Sequence, residues 1–546
     1  MSALYGIAHA VPAKPIVKTF EWNGEMVTAK LVGDENCHFW FAEDGRKFQQ
    51  INGETFVALS DEALEKIKLQ PKRIAPKVKE RLSSGMMPSM SRAQSNGSYV
   101  GSRKGLVILV NFADNEFTSC SDPKTEYTKI MSEIDHKDTQ NYGSVRDYFR
   151  AQSYGKFDFI IDVVGPYTLS QPMKYYGENN GYGNDTRPGS MILEAVQAAD
   201  KDVDFSQYDW DGDGTVEQIY VLYAGYGESH MAEPYTVWAH SWNLRDALGM
   251  EGKSYTATFD DVNIYTYACG NELSGTSGNK MDGIGIICHE FSHCFGVPDL
   301  YCTDYNHKTP CMEKWSVMDL GFYNDNGFCP CSYTAYERWL CGWLEPTVLS
   351  DPQNIKDMSN IDDSGEAYII YNEGHTDEYY VIQNIQQTGW NTDADDHGLL
   401  ILHVDYDQDA WQTGKVNVDE SHLRLTPICA DSEAEKLSGA LFPGKNNVTS
   451  LTDTTTPAMT LYNYNIDGRK FMGKPITNIT EDESGLISFA FNALPTKIPD
   501  ISEALDHNGS NANILYNVKG QRVGKDYKGI VINSQGKKSK SSAIGF

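Results

Sequence analysis

His289, Glu290 and His293 have the types and spacing of a hydrolytic metal centre. Two histidines four residues apart on a helix stand one turn above each other, so both imidazoles can reach one ion. Glu290 is displaced around the same helix, where its carboxylate reaches a water beside that ion and accepts its proton. Zinc suits these ligands: it lowers the pKa of a water to about 7 and polarises a carbonyl, so the trio implies peptide-bond hydrolysis. Five residues of this pattern also arise by chance, and the surrounding sequence has to add the weight.

The elements that must position the trio are legible on both sides of it. The stretch 281–288, MDGIGIIC, reads as an apolar helix that packs the metal-bearing turns into a core. Gly296, three residues past His293, permits the left-handed turn that ends a helix and returns the chain, which brings Asp299 to the metal as a third ligand. Asp299 as a plain turn residue after Pro298 is the blander reading, and a competing layout takes the third ligand from Glu313 or Glu337 farther along. Met318, in KWSVMD, is placed to floor the site, or simply to fill a core gap.

Other residues invite weaker readings. Asp209, Asp211, Asp213 and Glu217 alternate around two glycines like the first half of a calcium loop. Position twelve is Tyr220, so the run is no EF-hand and Glu217 would close the set. An acidic turn that binds nothing is the alternative. The segment 262–273, VNIYTYACGNEL, reads as the sheet edge along which a peptide would add. His240, in WAHSW, lines the cleft or is a structural histidine between tryptophans, and Tyr323 is a candidate oxyanion donor.

At 546 residues the chain needs several folding units. Its net charge of -29 repels phosphate backbones and excludes nucleic acid as a natural partner. No apolar run is long enough for a membrane-spanning helix. Residues 1-10, ending in an Ala-His-Ala pattern, read as a signal-peptide remnant, which points to export. Residues 11-102 read as a small β unit, a basic helical stretch over 62–82 and a Ser/Gly/Met-rich linker; together they suit a removable pro-segment that docks on an acidic body. GLVILVNF opens a mixed helix-and-strand domain over 103-348, short strands over 349-495 suggest an all-β sandwich, and 496-546 is a polar tail. The fold class is α+β. Eleven cysteines, eight of them between 269 and 341, leave disulfide pairing open, with Cys288 and Cys294 read as buried thiols of the metal helix.

The stretch from His289 to Tyr301 matches HExxHxxGxPDxY, and by it the chain resembles the immune inhibitor A family of secreted bacterial metallopeptidases. SVRDYFRAQSYGKFDF, the acidic loop at 209–217, WAHSW, YERWLCGWLEP, EYYVIQNIQQTGW and HGLLILHVD are similar to the same family, so the resemblance covers roughly residues 30–490. It implies a zymogen with a small pro-segment, a metzincin-like zinc peptidase domain with a mixed sheet, and an all-β sandwich after it. It also implies secreted or cell-surface action on protein or peptide substrates. Zinc would be held by His289, His293 and Asp299 above a Met-turn at Met318, although most metzincins carry histidine where Asp299 stands. The family often has glycine at the position of Ser292, a change expected to face away from the ligands. Cys37 in the pro-segment is a candidate thiolate cap on the zinc, and the final segment is similar to C-terminal sorting modules or is a small β appendage. A reading from another class, an adhesion protein with a structural zinc, is opposed by Glu290, which a closed structural site does not need. The sequence assigns no oligomeric state.

Overall fold

A computed structural model of the chain describes residues 11–69, 99–138, 140–303, 309–432 and 437–492, and the backbone of 9–10, 515–517, 522–523, 529–533 and 538–541. The N-terminal unit begins with β1 (His9–Ala10). It continues as an antiparallel sheet of β2 (Val17–Trp22), β3 (Glu25–Asp34), β4 (Cys37–Ala42), β5 (Lys47–Asn52) and β6 (Thr55–Ala58), in that order. Alternation along these strands sends Phe20, Val27, Leu31, Trp40, Phe48 and Phe56 to one face. Helix α1 (Asp61–Lys68), capped where the Ser60 side chain accepts from the Ala63 N–H, covers the other face with Leu64 and Ile67 over Cys37 and Phe39. The helix expected over 62–82 is described only to Lys68, and the expected linker lies almost wholly outside the described residues.

The central part is built on a six-stranded sheet. Strands β7 (Gly101–Asn111), β8 (Phe157–Thr168), β10 (Ile219–Tyr226) and β14 (Thr266–Leu273) are mutually parallel where they pair. Strand β11 (His240–Asn243) runs antiparallel to β14, in the order β1-β11-β14-β10-β7-β8. Helices α2 (Pro123–Ser132) and α3 (Val145–Gln152) and the metal helix α6 (Gly285–Cys294) line one face. Helices α4 (Pro188–Ala199) and α5 (Leu244–Met250) line the other. Leu106 to Val110 of β7 are fully buried because helices cover the sheet on both sides, which is what their continuous apolar run predicts. Short strands β9 (Thr215–Val216), β12 (Thr258–Phe259) and β13 (Val262–Ile264) form a small second sheet.

One expectation is corrected here. The segment 262–273 is no edge: β14 lies between β10 and β11, and all its residues are buried. The outer strands of the central part are β11 and β8, and β1 of the N-terminal unit pairs antiparallel with β11, His9 opposite Ser241 and Ala10 opposite His240. Residues 9–10, expected to belong to a discarded leader, are thus placed as a sixth strand.

Helix α7 (Ala335–Leu340) leads into the C-terminal β region. A five-stranded sheet comprises β15 (Thr347–Val348), β17 (Ala367–Tyr371), β18 (Glu378–Ile385), β19 (Gly398–Asp405) and β20 (Leu425–Pro427). A three-stranded sheet comprises β16 (Gln353–Met358), β22 (Ile487–Phe491) and β21 (Ile476–Glu481). Ile370, Tyr380, Ile382 and Ile401 of the first share a core with Ile355, Ile476 and Phe489 of the second. The opposite face of the five-stranded sheet, with Tyr379, Val381, Leu400 and Leu402, belongs to the same core as the metal helix. The region expected as an all-β sandwich thus carries two sheets with a common core, and its five-stranded sheet is also packed onto the central part. Within the tail, β23 (Leu515–Asn517), β24 (Arg522–Val523), β25 (Gly529–Asn533) and β26 (Lys538–Ser541) make a small antiparallel sheet.

Candidate metal centre

The metal helix is short and wedged. Its first residue, Gly285, lies so close to the carbonyl of Phe322 that a Cβ there would sit 1.9 Å from that oxygen. Glycine therefore lets the segment after Met318 close on the helix. At the other end Gly296 adopts φ +82°, the left-handed turn expected of it, and the chain doubles back through Val297 to Asp299. His289 Nε2 and His293 Nε2 lie 3.3 Å apart, and Asp299 Oδ1 is 3.4 Å from the first and 3.5 Å from the second. All three side chains are buried.

The second nitrogens explain the orientation. His289 Nδ1 is 2.8 Å from the carbonyl of Val317, and His293 Nδ1 is 2.9 Å from the carbonyl of Val297. A carbonyl can only accept, so each Nδ1 carries a proton and each ring turns Nε2, the nitrogen whose lone pair would bind a metal, to the other. Two lone pairs and a carboxylate oxygen converge on one point, which is a donor set for zinc. Glu290, beside them, is fully buried with neither carboxylate oxygen hydrogen-bonded. Burial, and then the Asp299 carboxylate, push its carboxyl well above the usual range. Its backbone is held where Gln218 Nε2 donates to the Glu290 carbonyl, 2.9 Å.

Met318 is fully buried below, its carbonyl accepting from Leu300 N–H just past Asp299. Glu337, the competing third ligand, has both oxygens engaged elsewhere. Oε2 accepts from the backbone and hydroxyl of Thr334 at 2.6 and 2.8 Å, and Oε1 from Ser316 Oγ at 2.5 Å. Since Ser316 Oγ also accepts from Met318 N–H, Glu337 braces the floor of the site. Glu313 is likewise outside the His289, His293 and Asp299 group. Ser292 Oγ donates to the carbonyl of Cys288 and meets the Tyr333 hydroxyl, turned away from the ligands as expected. Cys37 packs with Phe39, Leu64 and Ile67 in the core of its own unit, so its thiol is no cap on the metal.

Around the centre, His240 is a tethered histidine: its Nδ1 is 2.7 Å from the Trp238 carbonyl and its Nε2 2.9 Å from the Tyr267 hydroxyl. The ring of Phe322 lies tilted, 4.8 Å from His289 and 4.0 Å from Tyr323, whose hydroxyl donates to the carbonyl of Pro12, 2.9 Å. That bond belongs to a strap formed by Val11 to Lys14. Trp238 Nε1 donates to the Val11 carbonyl at 2.9 Å, and Lys14 N–H to the Ser229 carbonyl at 3.0 Å. Asp209, Asp211 and Glu217 bring ligand oxygens within 4.8 Å of one another, while Asp213 stands outside that group with a carboxylate oxygen accepting from Thr215 N–H.

Sequence reasoning missed the two anchoring carbonyls, the brace from Glu337 and the strap. The carbonyls have no side-chain signal at all. The VPAKP run carried one for the strap, since two prolines keep it extended, but it sat behind a segment read as a leader.

A buried donor set of two helical histidines and one aspartate, with a carboxylate alongside, defines the class of metallopeptidases that carry a base next to their helical ligands. Within that class, residues 92–341 match the family described as immune inhibitor A peptidase M6, catalytic domain. Immune inhibitor A of Bacillus thuringiensis subsp. alesti is 24% identical over 299 residues, covering 48% of this chain and 42% of that protein. The pre-pro-metalloprotease PrtV of Vibrio cholerae serotype O1 (strain M66-2) is 25% identical over 241 residues, covering 38% of this chain and 24% of that protein. The chain thus spans less than half the length of these curated relatives. Among the described residues no helix is long and apolar enough to cross a membrane.

Proposed function

We propose that the chain is a zinc-dependent endopeptidase that hydrolyses peptide bonds of extracellular proteins and is made as a zymogen. The observation that carries this reading is the convergence of His289, His293 and Asp299 beside a buried, unbonded Glu290. A zinc ion held by these three residues would supply Lewis-acid activation of a water and of the substrate carbonyl. Glu290 then does the proton work: a carboxylate oxygen takes the proton of the attacking water and afterwards hands it to the leaving amine. The Val297 and Val317 carbonyls keep both rings in the tautomer that presents Nε2. The buried ring of Phe322, 4.8 Å from His289, helps exclude bulk water.

Latency is supported by β1, which lies along the outer strand β11 in the antiparallel direction in which an extended peptide adds to a sheet edge, and by the strap that follows it across Trp238 and Tyr323. One of the relatives is itself named a pre-pro-metalloprotease, in keeping with this reading. The Asp209, Asp211 and Glu217 group is proposed as a structural calcium site that staples the turn before β9.

The test is caseinolysis and bound-zinc analysis before and after limited trypsin cleavage in the linker ahead of β7. Cleavage should raise activity, a chelator should abolish it, and Glu290→Ala should lower it by about 10²- to 10⁴-fold with zinc content retained. A cleaved Glu290→Ala chain that digests casein as fast as the parent would overturn the mechanism.

A further inference from the structure

Lys14 is only 8% exposed, an unusual position for a lysine. It lies on the strap, two residues past the carbonyl that Tyr323 holds, and its ammonium stands 5.7 Å over the Tyr323 ring. Beyond that ring is His230, whose centroid is 5.8 Å from that of Tyr323. His230 is 1% exposed, and neither ring nitrogen has a hydrogen-bond partner. Its Nδ1 is 3.6 Å from Asp282 Oδ2, outside hydrogen-bond range. The Asp282 side chain is itself nearly buried and receives Asn271 Nδ2 at 3.3 Å. Burial disfavours the Lys14 ammonium; the Asp282 charge is the main one that favours it, and Lys280 opposes.

The strap follows directly on β1, which lies along β11 as a substrate strand would; Lys14 covers the Tyr323 ring, which meets Phe322 and through it His289, so the pocket that Lys14 fills lies two rings from the metal centre. Leaving, Lys14 would expose a buried carboxylate, an aromatic face and an imidazole with spare bonding capacity. Those groups complement a long cationic side chain, and an aliphatic tenant of the same length would leave Asp282 desolvated and unpaired.

We propose that Asp282, Tyr323 and His230 form a substrate side-chain subsite selective for lysine or arginine, which Lys14 fills in the latent chain in place of the substrate residue. This rests on the peptidase reading above and adds its side-chain preference. Tyr323 and Asp282 are specificity residues, and the proton chemistry stays with Glu290.

The test has two arms. In the first, the linker-cleaved protein is given fluorogenic peptides carrying Lys, Arg, norleucine or Glu in turn at each position around the cleaved bond. The parent should prefer Lys or Arg over norleucine at one position by about tenfold or more in kcat/KM, and Asp282→Asn should bring that ratio near unity. In the second arm, which needs no activity, hydrogen exchange at the Lys14 amide is followed in the intact chain. Exchange should quicken about tenfold in Lys14→Met and in Asp282→Asn, and stay slow in Lys14→Arg. Peptides cut without a basic preference, or a preference that survives Asp282→Asn, would overturn the subsite and leave the peptidase reading standing. If no peptide is cut, the peptidase reading falls, and the exchange arm decides the subsite: equal exchange in Lys14→Met and Lys14→Arg overturns it.

Discussion

Two β units flank the central part, and they are attached by different physics. The N-terminal unit keeps most of its apolar residues in two small clusters of its own; among the described residues its apolar ties to the central part include Trp238 in the larger of these and Val11 in the central core, alongside many polar ones. His38 Nε2 meets Glu228 at 3.3 Å, Asn184 Nδ2 donates to the Glu35 carbonyl, Gly53 N–H donates to Glu233, and the strap adds the bonds from Trp238 and Tyr323. The C-terminal region instead shares a core with the metal helix. Trp390 packs edge-on 5.1 Å from Tyr148 of α3, Tyr379 lies 5.8 Å from Trp339 of α7, and the fully buried Arg338 pairs with Asp362. Water can replace hydrogen bonds one by one, but it cannot replace a shared apolar core. That difference suits the proposed release of the first unit and retention of the second.

Breaking the apolar seam should have the largest effect. Trp390→Ala leaves a cavity against Tyr142, Gly143 and Tyr148, and should cost about 3–5 kcal/mol of unfolding free energy in a denaturant titration. A loss confined to the C-terminal sheets, with the central part unaffected, would show that the two are separate after all.

The polar attachment should respond to pH. Burial alone would lower the His38 pKa, but the Glu228 charge and hydrogen bond, with Asp34 behind them, raise it above the ordinary 6.5. A raised folded pKa means the stabilisation is complete below about pH 6.5 and is lost as pH climbs through the folded value. After linker cleavage the N-terminal unit should therefore stay bound at pH 6 and dissociate more readily at pH 8 in gel filtration. His38→Gln should weaken the docking about tenfold at pH 6 and flatten the dependence.

The smallest effect should come from the rim. Lys314 and Asp395 form an ion pair across the C-terminal seam at 3.2 Å, with side chains 45% and 38% exposed. Lys314→Ala should change unfolding free energy by under about 1 kcal/mol. A larger change would make charge, rather than the shared core, the main holder of that seam.

The sequence disclosed the metal residues well because their chemistry demands fixed types at fixed helical spacing, and Gly296 because only a left-handed turn returns Asp299. It disclosed less about position in the sheet. WAHSW is too short to announce a strand, so the edge was assigned to the longer run at 262–273, and which strand is outermost is decided by pairings far apart in the chain. The shared core left a trace that alternation arguments passed over: EYYVIQNI and GLLILHVD are buried at every position, the mark of strands covered on both faces. The strap was legible only as composition, because its meaning lies in contacts with residues more than two hundred positions away.

Both metal-facing rings hang from main-chain oxygens, those of Val297 and Val317. A carbonyl is the one acceptor that no substitution at its own position removes, so a change at 297 or 317 leaves each imidazole its partner as long as the core around these two buried valines still packs. Errors in aim must come instead from changes that move the backbone, such as a side chain added at Gly285 or a lost brace at Glu337. Screens for inactive variants should accordingly find their damage in packing positions beside the centre as often as in the ligands themselves.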